Sequence, residues 1–245
     1  MVNKNDVIQW IRNYFAENGP KAKAVIGISG GKDSTIAAAL CVEALGPDRV
    51  IGVRMPQGTQ SDIDDAYAVC DILDIASYEI NIGRTCEMLY NQLDLNTIDP
   101  NNSMIQTNTP ARIRMATLYA VAAAVGGRVC CTSNRSEAYV GYTTKWGDSV
   151  GDFAPLRGLT ATEVCELGKQ LGLPNWMVFK KPADGMSGKT DEDNLGFSYS
   201  DVDKFINEKY TEISREKCSK ILRRHKLSNH KRGQIPCFVN KKKRS

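Results

Sequence analysis

The sequence predicts a single-domain α/β fold, a doubly wound parallel sheet with helices on both faces. Short apolar segments alternate with helix-like segments through the first half, and the connections between them are short. One apolar segment also runs directly into a glycine-rich turn that opens a helix. Repeated strand–helix units favour parallel strands, because each helix returns the chain to the same end of the sheet. With 245 residues, 42% of them hydrophobic, the chain can form one sizeable core.

The predicted elements of the first half begin with an amphipathic helix whose apolar face carries Val7, Ile8, Ile11 and Phe15. This helix ends at residues 18–20, which read Asn-Gly-Pro. Residues 24–28 are apolar and β-branched, as in a buried parallel strand. The pattern then predicts helices at 35–45, 61–73, 85–93 and 110–125, and strands at 50–53, 78–80 and 128–132. Thr109 is the predicted N-cap of the last helix, with Pro110 at its first position.

The second half is less periodic. Residues 133–157 are polar, aromatic and glycine-containing, which is typical of a site-building loop. Thr160 and Glu163 have capping-box spacing and open a helix that extends to Leu171. Residues 180–197 lack periodicity, and a loop of that length predicts a lid, a binding loop or a disordered segment. Helices are predicted again at 200–206 and 211–226.

The charge is unevenly distributed. The net charge is +4, but residues 217–245 contain eleven Lys or Arg and no Asp or Glu, so the rest carries −7. This basic stretch is either a solvated helix with a frayed end or a contact surface for an anionic ligand or nucleic acid. We expect residues 240–245 to be disordered in both cases.

The cysteine pattern argues against a zinc cluster and favours a reducing compartment. Eight cysteines are present without any Cys-x-x-Cys pair, and the chain has two histidines. Most of the cysteines fall in apolar segments, as expected for packed thiols of a cytoplasmic protein. The N-terminus lacks a signal-peptide pattern, and the most apolar stretch, 116–126, is too short to span a bilayer. We therefore expect a soluble protein without a membrane partner.

The strongest motif follows the first predicted strand and comprises Gly27, Ile28, Ser29, Gly30, Gly31, Lys32, Asp33 and Ser34. Glycines let a phosphate approach the backbone, and the N-terminus of the following helix favours an anion. Asp33 would repel phosphate unless a cation lay between them, so it is a candidate Mg²⁺ ligand. The spacing fits neither a Walker A loop nor Gly-x-Gly-x-x-Gly. The alternative is a generic strand-to-helix turn.

The Ser-Gly-Gly-x-Asp-Ser sequence resembles the signature of the ATP pyrophosphatase (PP-loop) superfamily, whose members cleave ATP between the α- and β-phosphates. Further segments resemble the NAD synthetase family over nearly the whole chain. They are residues 108–115, 132–137, 141–148, 152–156, 189–196 and 230–232. One such match has little weight, but all of them in order identify the family.

The resemblance implies an adenine nucleotide alpha hydrolase-like domain over 1–245 and a C–N bond-forming ligase. It would amidate nicotinic acid adenine dinucleotide (deamido-NAD) to NAD⁺ with ammonia through an acyl-adenylate, releasing AMP and pyrophosphate. Mg²⁺ would be held by Asp33 and Glu137, and ATP by the loop and Thr132. The implied dinucleotide contacts are Arg112, Lys145, Asp152, His230 and Lys231. No side-chain nucleophile is required. The family also implies a homodimer, and 245 residues leave no room for a built-in glutaminase domain.

Two positions depart from the family pattern. Ala161 stands where an ATP-contacting Lys often lies, and 182–184 lack a Ser or Thr that is often present. Lys180, Lys181 or Lys189 are candidate replacements, and Arg114 has either a substrate contact or a structural ion pair. A tRNA-modifying adenylating enzyme is the rival enzyme class, although nucleic acid is an improbable partner without a Cys-x-x-Cys pair or aromatics in the basic tail. A non-catalytic nucleotide-binding homologue is the other alternative.

Overall fold

A parallel sheet forms the centre of the molecule. The computed structural model describes residues 2–60, 63–180, 190–233 and 235–237. The strands within these residues are β1 (Lys23–Gly27), β2 (Val50–Arg54), β3 (Ala76–Glu79) and β4 (Gly127–Val129). They pair in the order β3-β2-β1-β4, and Val25 lies opposite both Ile51 and Val129.

Helices cover both faces of the sheet, as the sequence predicts. Successive residues of a strand point to opposite faces, so Ala24 and Ile26 pack into one apolar cluster and Val25 into another. The helices of the described residues are α1 (Lys4–Asn18), α2 (Lys32–Leu45), α3 (Ile63–Ile72), α4 (Gly83–Leu95), α5 (Ser103–Val125), α6 (Arg135–Val140), α7 (Ala161–Gln170), α8 (Asn175–Val178), α9 (Asp191–Leu195), α10 (Tyr199–Ile206) and α11 (Arg215–Leu227). The first cluster contains residues of α1, α2, α3 and α7, and the second contains residues of α4 and α5.

The strand order places a crevice beside β1. The chain passes outward from β1 to β2 and β3, then returns to β4 on the other side of β1. Connections on the two sides of β1 therefore diverge, and this is where open parallel sheets bind ligands. The segments that follow β1 and β4 meet at this point.

Three local predictions are wrong. Helix α5 begins at Ser103 with Asn102 as its N-cap, so Thr109 is not the cap and Pro110 lies inside the helix. Asn102 accepts a hydrogen bond from the backbone N–H of Met104 at 2.9 Å, which stabilises the earlier start. The predicted polar loop 133–157 contains α6, and the predicted loop 180–197 contains α9. Both are short helices stabilised by capping boxes, so they form without the apolar periodicity on which the helix predictions relied.

A third apolar cluster lies beyond the sheet and joins α6, α10 and α11. It anchors the ordered part of the basic C-terminal region to the segment that follows β4. The expected disorder of residues 240–245 falls outside the described residues. Among the described helices, none has the length and hydropathy needed to cross a membrane.

Candidate active site

The phosphate loop joins β1 to α2 in a closed turn. Gly30 has a φ of +74°, and a Cβ there would lie 2.7 Å from the Cβ of Asp65, so glycine alone fits. The backbone N–H of Gly31 donates to the Ser29 hydroxyl at 3.2 Å. The Ser34 hydroxyl donates to the Gly31 carbonyl at 3.0 Å. These bonds hold the turn without a ligand.

The N-terminus of α2 opens at this turn. Its N-cap is Gly31, which has no side chain to satisfy the first amides of the helix. Amides of the first turn and the partial positive charge of the helix end therefore favour an anion in the crevice. The predicted strand–turn–helix geometry is confirmed, with α2 beginning at Lys32 rather than at residue 35.

Asn134 links the two acidic residues predicted to hold Mg²⁺. Its side-chain Nδ2 donates to Asp33 Oδ1 at 2.9 Å, and its backbone N–H donates to Glu137 Oε2 at 3.1 Å. Its Oδ1 in turn accepts from the Glu137 N–H at 3.0 Å, completing the capping box of α6. Asp33 follows β1 and Glu137 follows β4, so the structure joins two strand ends through one fully buried asparagine.

Asn134 is the site residue that the sequence reasoning missed. The Asn-x-x-Glu spacing at 134–137 is a recognisable capping-box pattern, and it would have predicted α6. The contact with Asp33 has no such signal, because 101 positions separate the two residues.

The charges in this crevice are strongly coupled. Burial and the neighbouring charge of Asp33 raise the pKa of Glu137 to about 8. Burial opposes the charge on Lys32, but Asp33 and Glu137 outweigh it and raise the pKa of Lys32 above its ordinary value. Two carboxylates that follow adjacent strands and that one asparagine joins form an oxygen donor set that suits a hard divalent cation. The residues present therefore fit a magnesium ion.

Buried Asp203 fixes the position of α6. It accepts a hydrogen bond from the Ser136 hydroxyl, and its Oδ2 accepts from the Thr162 N–H at 2.8 Å. Ser136 also accepts from the Ala161 N–H at 3.0 Å. Residues of α6, α7 and α10 are thus tied together next to Glu137, so the carboxylate sits on a rigid support.

A cavity of about 420 Å³ opens beside the loop. Lys32, Ala161, Lys180 and Tyr199 are among its lining residues. Of the predicted replacements for a lysine at 161, Lys180 lies in this cavity and pairs with Asp65 at 2.5 Å. Lys181, Lys189 and residues 182–184 lie outside the described residues. Lys32, which was predicted only as a member of the loop, supplies a second cation to the cavity.

The residues predicted to contact the dinucleotide are less closely connected by hydrogen bonds than the residues of the phosphate loop. The Arg112 guanidinium, on α5, donates to the backbone carbonyl of Lys145 at 3.2 Å, which ties α5 to the loop that carries Lys145. The Lys231 ammonium donates to the carbonyls of Gly141 and Thr143 in the same loop. His230 and Lys231 line a second cavity of about 480 Å³, together with Lys220, Arg223 and Arg224. Part of the ordered basic region therefore lines a cavity.

The remaining predicted residues have mainly local contacts. Asp152 accepts from the Val129 N–H at 2.7 Å and from the Tyr119 hydroxyl, and burial with the charge of Asp152 raises the pKa of Tyr119 to about 12. Thr132 follows β4, two residues before Asn134, and is partly exposed. Arg114 donates to the Met55 carbonyl at 3.0 Å, which is a structural contact.

The chain is similar to known proteins over most of its length. A family model described as NAD synthase matches residues 3–235. A Pyrococcus horikoshii protein named NH(3)-dependent NAD(+) synthetase is 41% identical over 207 residues, covering 84% of this chain and 79% of the relative. The structure of NMN synthetase from Francisella tularensis matches with a TM-score of 0.86 and 32% identity, covering 98% of this chain and 100% of that one. NH3-dependent NAD synthetase from Campylobacter jejuni matches with a TM-score of 0.77 and 25% identity, at the same coverage.

Proposed function

The chain belongs to the NAD synthase family, and we propose on that basis that it is an ammonia-dependent ligase that converts deamido-NAD to NAD⁺. The nicotinate carboxylate attacks the α-phosphate of ATP, which gives an acyl-adenylate and pyrophosphate. Ammonia then displaces AMP to form the amide. The observation that carries the proposal is the pair of carboxylates, Asp33 and Glu137, that Asn134 joins across one phosphate loop.

The chain contributes positioning and charge to this reaction. Amides of the loop and of α2 would hold the pyrophosphate as negative charge develops on it, and Thr132 would contact ATP. Asp33 and Glu137 would hold Mg²⁺, which supplies charge neutralisation to the phosphates when bound. The reaction needs no side-chain nucleophile, because the substrate's own carboxylate attacks.

The acceptor binds through a separate set of side chains in this proposal. Arg112, Lys145, Asp152, His230 and Lys231 would contact deamido-NAD, which carries a diphosphate and a nicotinate carboxylate. The contact of the Arg112 guanidinium with the loop that carries Lys145 supports a shared anionic ligand for these two residues.

Two wider proposals concern the state of the protein. We propose a homodimer, supported by exposed apolar side chains of α4 and α5 such as Met88, Leu95 and Met104. Light scattering during size-exclusion chromatography measures the molar mass of the protein in solution and tests the homodimer.

We also propose a cytoplasmic location, which is supported by the eight cysteines, all of them free thiols.

The direct test supplies Mg²⁺, ATP and deamido-NAD with either ammonium or glutamine, and measures NAD⁺ and AMP together. We expect equal amounts of the two products with ammonium and little of either with glutamine. AMP without NAD⁺, in the presence of another acceptor, would overturn the proposed substrate but keep the phosphate loop.

A second candidate acceptor is nicotinic acid mononucleotide, whose amidation gives NMN. The high structural similarity to the NMN synthetase from Francisella tularensis favours it. The two acceptors share the nicotinate carboxylate and differ in the adenylate half. The ratio of kcat/KM for the two, measured with ammonium, decides between them, and the dinucleotide is expected to be preferred.

A further inference from the structure

Lys32 is a buried lysine in an electrostatically unfavourable position. It is the first residue of α2, where the helix end carries a partial positive charge that repels cations. Its side chain is only 8% exposed, and its ammonium contacts Asp33 Oδ2 at 2.5 Å. A buried cation at such a position needs compensating carboxylates, and Asp33 and Glu137 supply them.

The two oxygens of Asp33 have different partners. Asn134 donates to Oδ1 at 2.9 Å, and this bond is part of the rigid support of α6. Lys32 contacts Oδ2. Because Asn134 already occupies one side of Oδ1, Oδ2 is the oxygen of Asp33 that a divalent cation reaches with the least disturbance, and the ammonium now contacts it. Metal and lysine compete for one oxygen atom.

The ammonium has a place to go when it leaves Asp33. Lys32 lines the cavity of about 420 Å³, and Nζ lies 6.0 Å from the centre of the Tyr199 ring on its wall. Ala161 contributes only a methyl group to the same wall. Two of the carboxylates of this wall are engaged, because Glu192 accepts from the Tyr199 N–H and Asp203 from Thr162. An ammonium in this cavity is thus available to an anion beside the loop.

We propose that Lys32 is an exchangeable counterion: it neutralises Asp33 before nucleotide binds, yields Oδ2 to the divalent cation, and then faces the phosphates of ATP from the cavity. The role is one of positioning and binding, and it rests on the proposed function because ATP with a divalent cation is the ligand. In this proposal, the lysine of the phosphate loop and the divalent cation replace each other at Asp33.

The first test is Lys32→Met, which keeps the length of the side chain and removes the charge. The probe for the first half of the proposal is Mn²⁺ without nucleotide, titrated at pH 8.5. We expect Mn²⁺ to bind about tenfold more tightly to the variant, because its competitor is gone, and ATP with Mg²⁺ to bind about tenfold more weakly. Lys4→Met, which removes a partly exposed lysine paired with Glu43 at 2.8 Å, is the matched control and should change neither affinity.

Mn²⁺ affinity that is unchanged or weaker in Lys32→Met overturns the competition. If Lys32 had only a structural role, its replacement would lower the melting temperature but would not strengthen Mn²⁺ binding while weakening ATP binding. If Lys32→Met does not fold, Lys32→Gln keeps a polar end and is expected to give the same pair of shifts.

The second test places a lysine at position 161, on the wall of the cavity that Lys32 also lines. In the double variant Lys32→Met with Ala161→Lys, the new ammonium enters the same cavity but starts from α7. We expect ATP affinity to recover at least severalfold while Mn²⁺ binding stays tight. No recovery would overturn the cavity as the destination of the ammonium. Both tests omit the acceptor and measure binding only, so a failure to form NAD⁺ would reject the proposed function without affecting this result.

Discussion

The phosphate side and the acceptor side of the crevice are built differently. On the phosphate side, residues 27–34 and Asn134 with Glu137 hold each other through hydrogen bonds, and Lys32 and Asn134 are buried. On the acceptor side, Arg112, Asp152 and His230 are exposed, and the cations contact backbone carbonyls. The phosphate side is organised before ligand binds, whereas the acceptor side can rearrange around a ligand. Reaction chemistry should therefore depend on the first and substrate choice on the second.

The largest expected effect tests the phosphate side. Asp33→Ala removes both the proposed metal ligand and the partner of Lys32, so we expect turnover to fall about a thousandfold or more. The measurement is the rate of AMP and NAD⁺ formation with saturating substrates. Asp6→Ala, at an exposed position of α1, is the control. Normal turnover in Asp33→Ala would remove the metal assignment.

Arg112→Gln tests the acceptor side. Loss of one charged hydrogen bond to the acceptor is expected to raise its KM about ten- to a hundredfold, while the KM for ATP stays unchanged. Steady-state kinetics with each substrate varied in turn gives both values, and Arg84→Gln on α4 serves as an exposed control. A parallel rise in the KM for ATP would mean that the two sides are not separate.

Asn134→Ala tests the support of the phosphate side, because this residue both caps α6 and holds Asp33. We expect kcat to fall about tenfold and the free energy of unfolding to fall by about 1 kcal/mol. Thr190→Ala removes another capping box, that of α9, and controls for the loss of a helix cap alone. A stability loss without a kcat change would limit Asn134 to capping.

The last prediction concerns the dependence of stability on pH in metal-free protein. The pKa of Glu137 is about 8 in the fold, against 4.5 for an ordinary Glu, because burial and Asp33 disfavour its charge. Between these values the folded state holds a proton that the unfolded state has lost, so stability falls as pH rises from about 4.5 to 8. Melting temperatures measured in a chelating buffer should decline over this range. Glu137→Gln should flatten the decline, and an equal slope in that variant would contradict the assignment.

Sequence patterns predict some features of the two sides and fail to predict others. The phosphate loop is contiguous, so its motif predicted the site at residues 27–34. Helix α5 was misplaced because Pro110 lies inside it. Proline is strongly unfavourable within helices, yet this helix continues through it, with the first turn capped by Asn102. Helices α6 and α9 were missed because caps rather than apolar periodicity stabilise them.

The sequence by itself determined the alternation of strands and helices, the phosphate loop and the family, because each depends on residues close together in the chain. The tertiary structure decided that Lys32 shares Asp33 with Asn134 and that Ala161 faces the same cavity as Lys32. Those contacts join segments about a hundred or more positions apart, and they form only when packing of the sheet brings the ends of β1 and β4 together. Their charges then act in a desolvated crevice, where each group sets the ionisation of the next.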